Sequence, residues 1–150
     1  MSDLTVALAS DHAGYALKQM VADAVRGAGQ NVLDLGPDGT DSVDYPEFGF
    51  LLGRAIEEKT ADYGIAICGS GIGISIAVNR FPAARAALCT SSQMARLARQ
   101  HNDANVLALG ERLTGVDVAL ECVHTFLSTK FEGGRHARRV QKLSHPDRKH

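Results

Sequence analysis

Residues 63–80, YGIAICGSGIGISIAVNR, decide the fold. The first six are apolar and rich in β-formers, which reads as a strand buried on both faces. The run breaks at Gly69-Ser70-Gly71-Ile72-Gly73, and apolar residues then resume at helical spacing over 72–80. A strand that turns through glycines into a helix is the first half of a βαβ unit. Outward from this stretch the pattern repeats. Strands are predicted at 5–10, 31–35, 63–68, 84–90 and 105–110. Helices are predicted at about 13–28, 46–59, 72–80, 91–101 and 115–128. In the first helix Ala16, Met20, Ala24 and Ala28 share a face at i, i+4 spacing. Pro46 suits the first turn of the second helix, and Ser91 or Ser92 suits the N-cap of the fourth.

Strands that alternate with helices imply a parallel sheet with right-handed crossovers. The fold class is therefore α/β: a three-layer α/β/α sandwich around a five-stranded parallel, Rossmann-like sheet. Neither an internal repeat nor a linker interrupts residues 1–150, so one domain is expected. With 45% hydrophobic and 22% charged residues, the chain matches a folded globular protein and not a disordered one. No apolar run reaches the roughly 18 residues of a membrane span, and MSDLTVALAS lacks the pattern of a secretory signal. Cys68, Cys89 and Cys122 form an odd set without C-x-x-C spacing, against a disulfide framework or a zinc site. A cytoplasmic location is expected.

Net charge is −1, unevenly spread. Residues 130–150 hold seven Lys/Arg against two acids, so the rest of the chain is acidic. Such a tail suits nucleic acid, a membrane surface, a small anion or plain solvent. It lacks interleaved aromatics, and the chain shows no nucleic-acid-binding motif. Neither nucleic acid nor membrane is expected as a partner.

Open parallel sheets bind ligands beyond the carboxyl ends of their strands. That rule selects residues 10–14, 36–45, 68–73 and 110–114. Glycines 69, 71 and 73 allow backbone N–H groups to converge on an anion at a helix N-terminus. The loop is no Walker A motif, since Gly-Lys-Ser/Thr is absent, and Ile74 stands where a dinucleotide fingerprint needs glycine. A plain tight turn is the competing account. Cys68 sits at the lip of this loop. A strand-end cysteine is most often a small buried hydrophobe. An anion nest and a helix N-terminus, however, are settings that favour a thiolate, which can serve as nucleophile or general base. Cys89 and Cys122 lack that setting and read as core.

Five motifs in order, SDHAG, DYP at 44–46, CGSGIGISIAVNR, RQHNDANVLALG and EGGRHARRV, resemble those of type B ribose-5-phosphate isomerases. These belong to a wider group of aldose–ketose isomerases that includes galactose-6-phosphate isomerase. The resemblance runs in register from about residue 4 to 143. It implies that Cys68 carries a proton between C1 and C2 of the sugar. Some members use a glutamate on the following helix instead; Ile74 and Ser75 stand there, which places this chain with the cysteine-using branch. It further implies that His101 opens the furanose ring, and that Asp11 and His12 contact ring oxygens and phosphate. The stretch Gly69, Ser70, Gly71, Ile72 and Gly73 matches the backbone cradle, while Asn102, Arg112, Arg135 and Arg139 match further substrate-binding positions. No metal or organic cofactor is implied.

The chemistry is consistent with those residues. A thiolate can take a proton α to a carbonyl and return it to the neighbouring carbon. Preorganised N–H groups of the loop, with Ser70, would hold the enediolate oxygen. Arg135 and Arg139 lie four apart, on one face if the tail is helical, and can fork a phosphate. The helix after the fourth strand runs back toward the amino edge of the sheet. His101 and Asn102 then reach a carboxyl-edge site only from another subunit. A homodimer with shared sites is expected, with the tail (about 130–150) crossing to the partner and a pairing of dimers into tetramers left open. Other readings are a six-carbon sugar phosphate (allose or galactose 6-phosphate), limited by loop 36–45, a cysteine hydrolase pairing Cys68 with His101, and a nucleotide-binding module.

Overall fold

The computed structural model describes residues 3–149. Among them five strands alternate with helices: β1 (Thr5–Ser10), α1 (Tyr15–Gly27), β2 (Asn31–Asp34), α2 (Tyr45–Glu57), β3 (Tyr63–Cys68), α3 (Ile72–Val78), β4 (Ala86–Leu88), α4 (Ser92–Asn102), β5 (Val106–Gly110), α5 (Val116–Ser128) and α6 (Arg135–Leu143). All pairs are parallel, in the order β2-β1-β3-β5-β4. The predicted α/β sandwich with a five-stranded parallel sheet is what forms. β4 is shorter than the expected 84–90: the Ala84 N–H donates back to Phe81 O and the Arg85 N–H to Asn105 Oδ1 before the strand begins, and residues 89 and 90 lie beyond its end. The capping expectations hold. Pro46 lies in the first turn of α2, and the Ser91 hydroxyl accepts the Met94 N–H at 3.2 Å.

The two sheet faces differ in side-chain size. Val6 and Leu8 of β1, Ile65 and Ile67 of β3, and Leu107 and Leu109 of β5 face α1, α4 and α5. The alternating residues Ala7, Ala9 and Ala66 face α2 and α3, with Leu52, Ile56 and Ile74 filling the space. Small residues let α2 approach closely. A Cβ on Gly49 would lie 2.6 Å from that of Ala77. Truncating one of the large core residues, such as Leu8, costs about 2–5 kcal/mol.

The face expected for α1 is corrected. Ala16, Met20 and Ala24 are exposed, whereas Leu17, Val21 and Val25 are buried. Lys18 is fully buried beside them and reaches Asp34 at the end of β2, Nζ to Oδ1 2.6 Å. The Asp34 carboxylate also accepts the Gly36 N–H at 2.9 Å, which fixes the start of the loop to Asp44.

The basic tail is helical from 135 and rests on α4 of its own chain. His136 and Val140 point inward, while Arg135, Arg138, Arg139 and Lys142 are exposed. The loop before α6 is tied to α4, with Glu132 N–H donating to Gln100 O at 3.1 Å and Arg99 Nε donating to Thr129 O at 3.1 Å. Among the described residues no helix is long and apolar enough to cross a membrane.

Candidate active site

After β2 the chain crosses over β1 to build β3, so connections leave β1 and β3 toward opposite sides of the sheet. The carboxyl ends at this switch point, Ser10 and Cys68, diverge and open a crevice. A cavity of about 650 Å³ occupies it, and Asp11, His12, Cys68, Gly69, Ser70, Ile72, Gly73 and Arg112 all line it. Eight of the residues singled out from sequence therefore meet in one place. Gly71 lies buried just behind the lining.

The glycine loop is built around the thiol. Gly71 has φ +78°, where an added Cβ would also press to 2.8 Å of the Leu109 carbonyl carbon, so only glycine fits. Its N–H donates to Cys68 Sγ at 3.1 Å. A donor aimed at sulfur steadies a negative charge there. The Ile72 N–H donates to Ser70 Oγ at 3.1 Å, which leaves the hydroxyl proton free to donate onward. The expectation that the whole backbone from Gly69 to Gly73 cradles substrate is thus narrowed. Two N–H groups hold the thiol and the serine, and those of Gly69, Ser70 and Gly73 have no protein acceptor among the described residues. These three remain as anion donors at the N-terminus of α3.

The opposite wall comes from the turn after β1. Asp11 is buried, and its Oδ1 accepts the Gly14 N–H at 3.0 Å, which orients the carboxylate. The Val43 N–H donates to His12 Nδ1 at 3.1 Å. A neutral His12 therefore carries its proton on Nε2 and acts as a donor. Loop 36–45 sets that tautomer. Arg112, whose N–H donates to Gly69 O at 2.9 Å, is the one arginine among the described residues lining the cavity. Tyr45, not assigned a role from sequence, also lines it, and a Cβ on Gly73 would lie 2.5 Å from its ring. The DYP motif and the glycine at 73 were its available signals.

The other four sequence-selected residues lie at the far edge. α4 ends at Asn102, beside the amino ends of β3, β4 and β5, where Asn105 bonds to Gly64 and Arg85. Arg99 secures this end, reaching Asp103 at 2.8 Å, Ala104 O at 2.7 Å and the Tyr63 hydroxyl at 3.1 Å. His101 stacks on His136 of α6, ring centroids 4.4 Å apart, and Arg135 and Arg139 project from the same helix. His101, Asn102, Arg135 and Arg139 are therefore together, but not with Cys68. Within one chain the hydrolase pair of Cys68 and His101 does not form. Cys89 and Cys122 sit in the core, where burial pushes the Cys89 thiol up to about 12 and raises that of Cys122.

The geometry agrees with what the chain resembles in known proteins. The Escherichia coli protein named ribose-5-phosphate isomerase B is 40% identical over 139 residues, covering 93% of each chain. The Clostridium thermocellum ribose-5-phosphate isomerase B structure superposes with a TM-score of 0.94 at 51% identity, covering 96% of this chain and 97% of that one. A Mycoplasma genitalium ribose-5-phosphate isomerase B structure with bound ribulose-5-phosphate matches with a TM-score of 0.90 at 39% identity over 95% of both chains. The sequence pattern of the Ribose/Galactose Isomerase family matches residues 6–143. By sequence, fold and the arrangement of its crevice, the chain belongs to the ribose/galactose isomerase family.

Proposed function

We propose that this chain interconverts D-ribose 5-phosphate and D-ribulose 5-phosphate by proton transfer through an enediolate. The observation that carries the proposal is the Cys68 sulfur, held by the Gly71 N–H in a crevice with three uncommitted loop N–H groups. The named functions of the relatives in Escherichia coli and Clostridium thermocellum support it, as does the ketose phosphate bound in the Mycoplasma genitalium structure.

In the forward direction His101 moves the proton of the C1 hydroxyl to the ring oxygen, which opens the furanose to the aldehyde. The Cys68 thiolate takes the C2 proton, and the electron pair passes through C1 to the carbonyl oxygen. The loop N–H groups and the Ser70 hydroxyl stabilise that oxygen as it gains charge. Cys68 then returns the proton to C1, while the proton of the C2 hydroxyl passes to the C1 oxygen, which leaves a ketone at C2 and a hydroxyl at C1. His12 Nε2–H and Asp11 hold the sugar oxygens. Arg135 and Arg139 fork the phosphate, and Arg112 adds charge from the cavity wall.

His101, Asn102, Arg135 and Arg139 enter this site from a second copy of the chain. The separation of the two residue sets to opposite sheet edges supports a homodimer with composite sites, the tail contributing to the partner. Three buried free thiols suit a reducing compartment, and a cytoplasmic enzyme is proposed. The test is isomerisation of ribose 5-phosphate beside allose 6-phosphate and galactose 6-phosphate. Preferred turnover of the five-carbon substrate is expected. Turnover of a six-carbon sugar alone would move the substrate assignment, and turnover of none would refute the reaction.

A further inference from the structure

At the sheet edge opposite the crevice of its own chain, one cluster brings together side chains that ligate metals. His101 ends α4, His136 lies in the first turn of α6, and Glu132 sits in the loop between α5 and α6. Their ligand atoms all fall within 4.8 Å of one another. Glu132 Oε1 is 3.7 Å from His136 Nε2 and 3.9 Å from His101 Nε2. We propose that His101, Glu132 and His136 form a binding site for a divalent transition-metal ion of the zinc type.

Two imidazoles and one carboxylate select zinc, cobalt, nickel or copper over magnesium or calcium, which prefer all-oxygen sites. Three protein ligands with a solvent-facing fourth position match an open zinc site. The frame is already assembled. Glu132 N–H donates to Gln100 O at 3.1 Å, and His136 N–H donates to Gly133 O at 3.0 Å, so backbone bonds seat two ligands beside the third. His136 is largely buried and held below its usual pKa, by burial first and then by His101 and Arg135.

Bonds of about 2.0–2.2 Å require some contraction of the cluster. The two rings lie 14° from parallel, so their lone pairs run side by side. Binding turns His101, the more exposed of the two, out of the stack until its Nε2 faces the ion. One consequence rests on the proposed ring-opening role of His101. An ion that holds His101 Nε2 takes that proton carrier away, so zinc slows the isomerase reversibly.

The test titrates cobalt(II) into the full chain and follows its visible spectrum, with zinc then displacing it. Visible d–d bands without a near-ultraviolet thiolate charge-transfer band are expected. Glu132→Gln, an exposed position, should weaken binding at least as much as losing an outer-shell partner does, about 10–100-fold. His136→Asn should weaken it likewise. A thiolate band would place the ion on Cys68 and overturn the site, as would an affinity unchanged in Glu132→Gln. Cobalt binding that depends on Glu132 without any slowing of the isomerase supports the site and overturns the role given to His101.

Discussion

At the scale of single residues the three cysteines show how context divides one side chain into two kinds. Cys89 and Cys122 belong to the core, where burial raises both thiols and holds Cys89 at about 12. At neutral pH neither is a nucleophile. Cys68 is also buried, yet its sulfur lines the cavity and receives the Gly71 N–H. A thiol-alkylating reagent at pH 7 should thus modify one cysteine in the native chain, with peptide mapping finding it at 68 and prior sugar phosphate protecting it. Replacing that thiol should separate chemistry from binding. Cys68→Ala should lower kcat about 100-fold or more, the scale of a lost general base, while Tm and substrate affinity stay near wild type. Steady-state kinetics beside equilibrium binding check this; undiminished kcat would remove Cys68 from the mechanism. Cys68 was legible because it stands against glycines whose spacing is rare. Tyr45 and Lys18 were not, since an exposed-looking tyrosine and a helical lysine carry no local mark of what they touch.

At the scale of elements, loop 36–45 links the buried ion pair to the crevice. Lys18 fixes Asp34, Asp34 fixes Gly36, and the far end of the loop fixes His12 through Val43. Lys18→Met replaces the buried cation by an apolar side chain of similar length, and the cost of breaking such a pair depends on whether the remaining charge stays buried. Asp34, partly exposed, regains water. The variant should therefore melt near wild type but hold the loop less firmly, raising KM by about 5–10-fold, the equivalent of one hydrogen bond, with kcat little changed. A lowered kcat with normal KM would contradict the positioning role. The docking of α6 on α4 carries a pH dependence. Burial lowers the His136 pKa first, then His101 and Arg135, with Arg139 adding a little and Glu132 opposing. A histidine lowered in the fold binds fewer protons there than when unfolded, so protonation works against the native state. Stability is full above the unfolded value of 6.5 and falls as pH drops from there through the lowered folded value. Chemical unfolding between pH 7.5 and 5 should show this loss, and His136→Asn should flatten it. The faces of α1 illustrate what periodicity leaves open: the alanine stripe at i, i+4 was visible, but Leu17, Val21 and Val25 form a second stripe one step along. Size and branching, not spacing, decide which one the sheet takes.

At the scale of the whole molecule, sequence pattern was enough for five parallel strands, because runs apolar on both faces have no other home in a chain of this length. It did not give β5 its place between β3 and β4, since strand order depends on which faces the helices fill after the crossovers. It did give the edge at which α4 ends, because a helix joining parallel strands must return toward their amino ends. That geometry drives the last prediction. If Cys68 of one chain works with His101 and Arg139 of another, two inactive chains can restore each other. Arg139→Ala alone should cost about 1.5–3 kcal/mol of charged hydrogen bonding, seen mainly as a raised KM. Combined with His101→Asn it should leave a nearly inactive chain, as Cys68→Ala does. Unfolding and refolding the two variants together in equal amounts makes half of the dimers mixed. Each mixed dimer pairs one intact site with one site that carries every lesion. The mixture should therefore recover about a quarter of wild-type activity, as a symmetric two-site dimer requires. Refolding each variant alone should recover none. If mixing restores nothing while light scattering shows mixed dimers, the sites are not shared, and His101 and Arg139 serve some purpose other than completing the crevice.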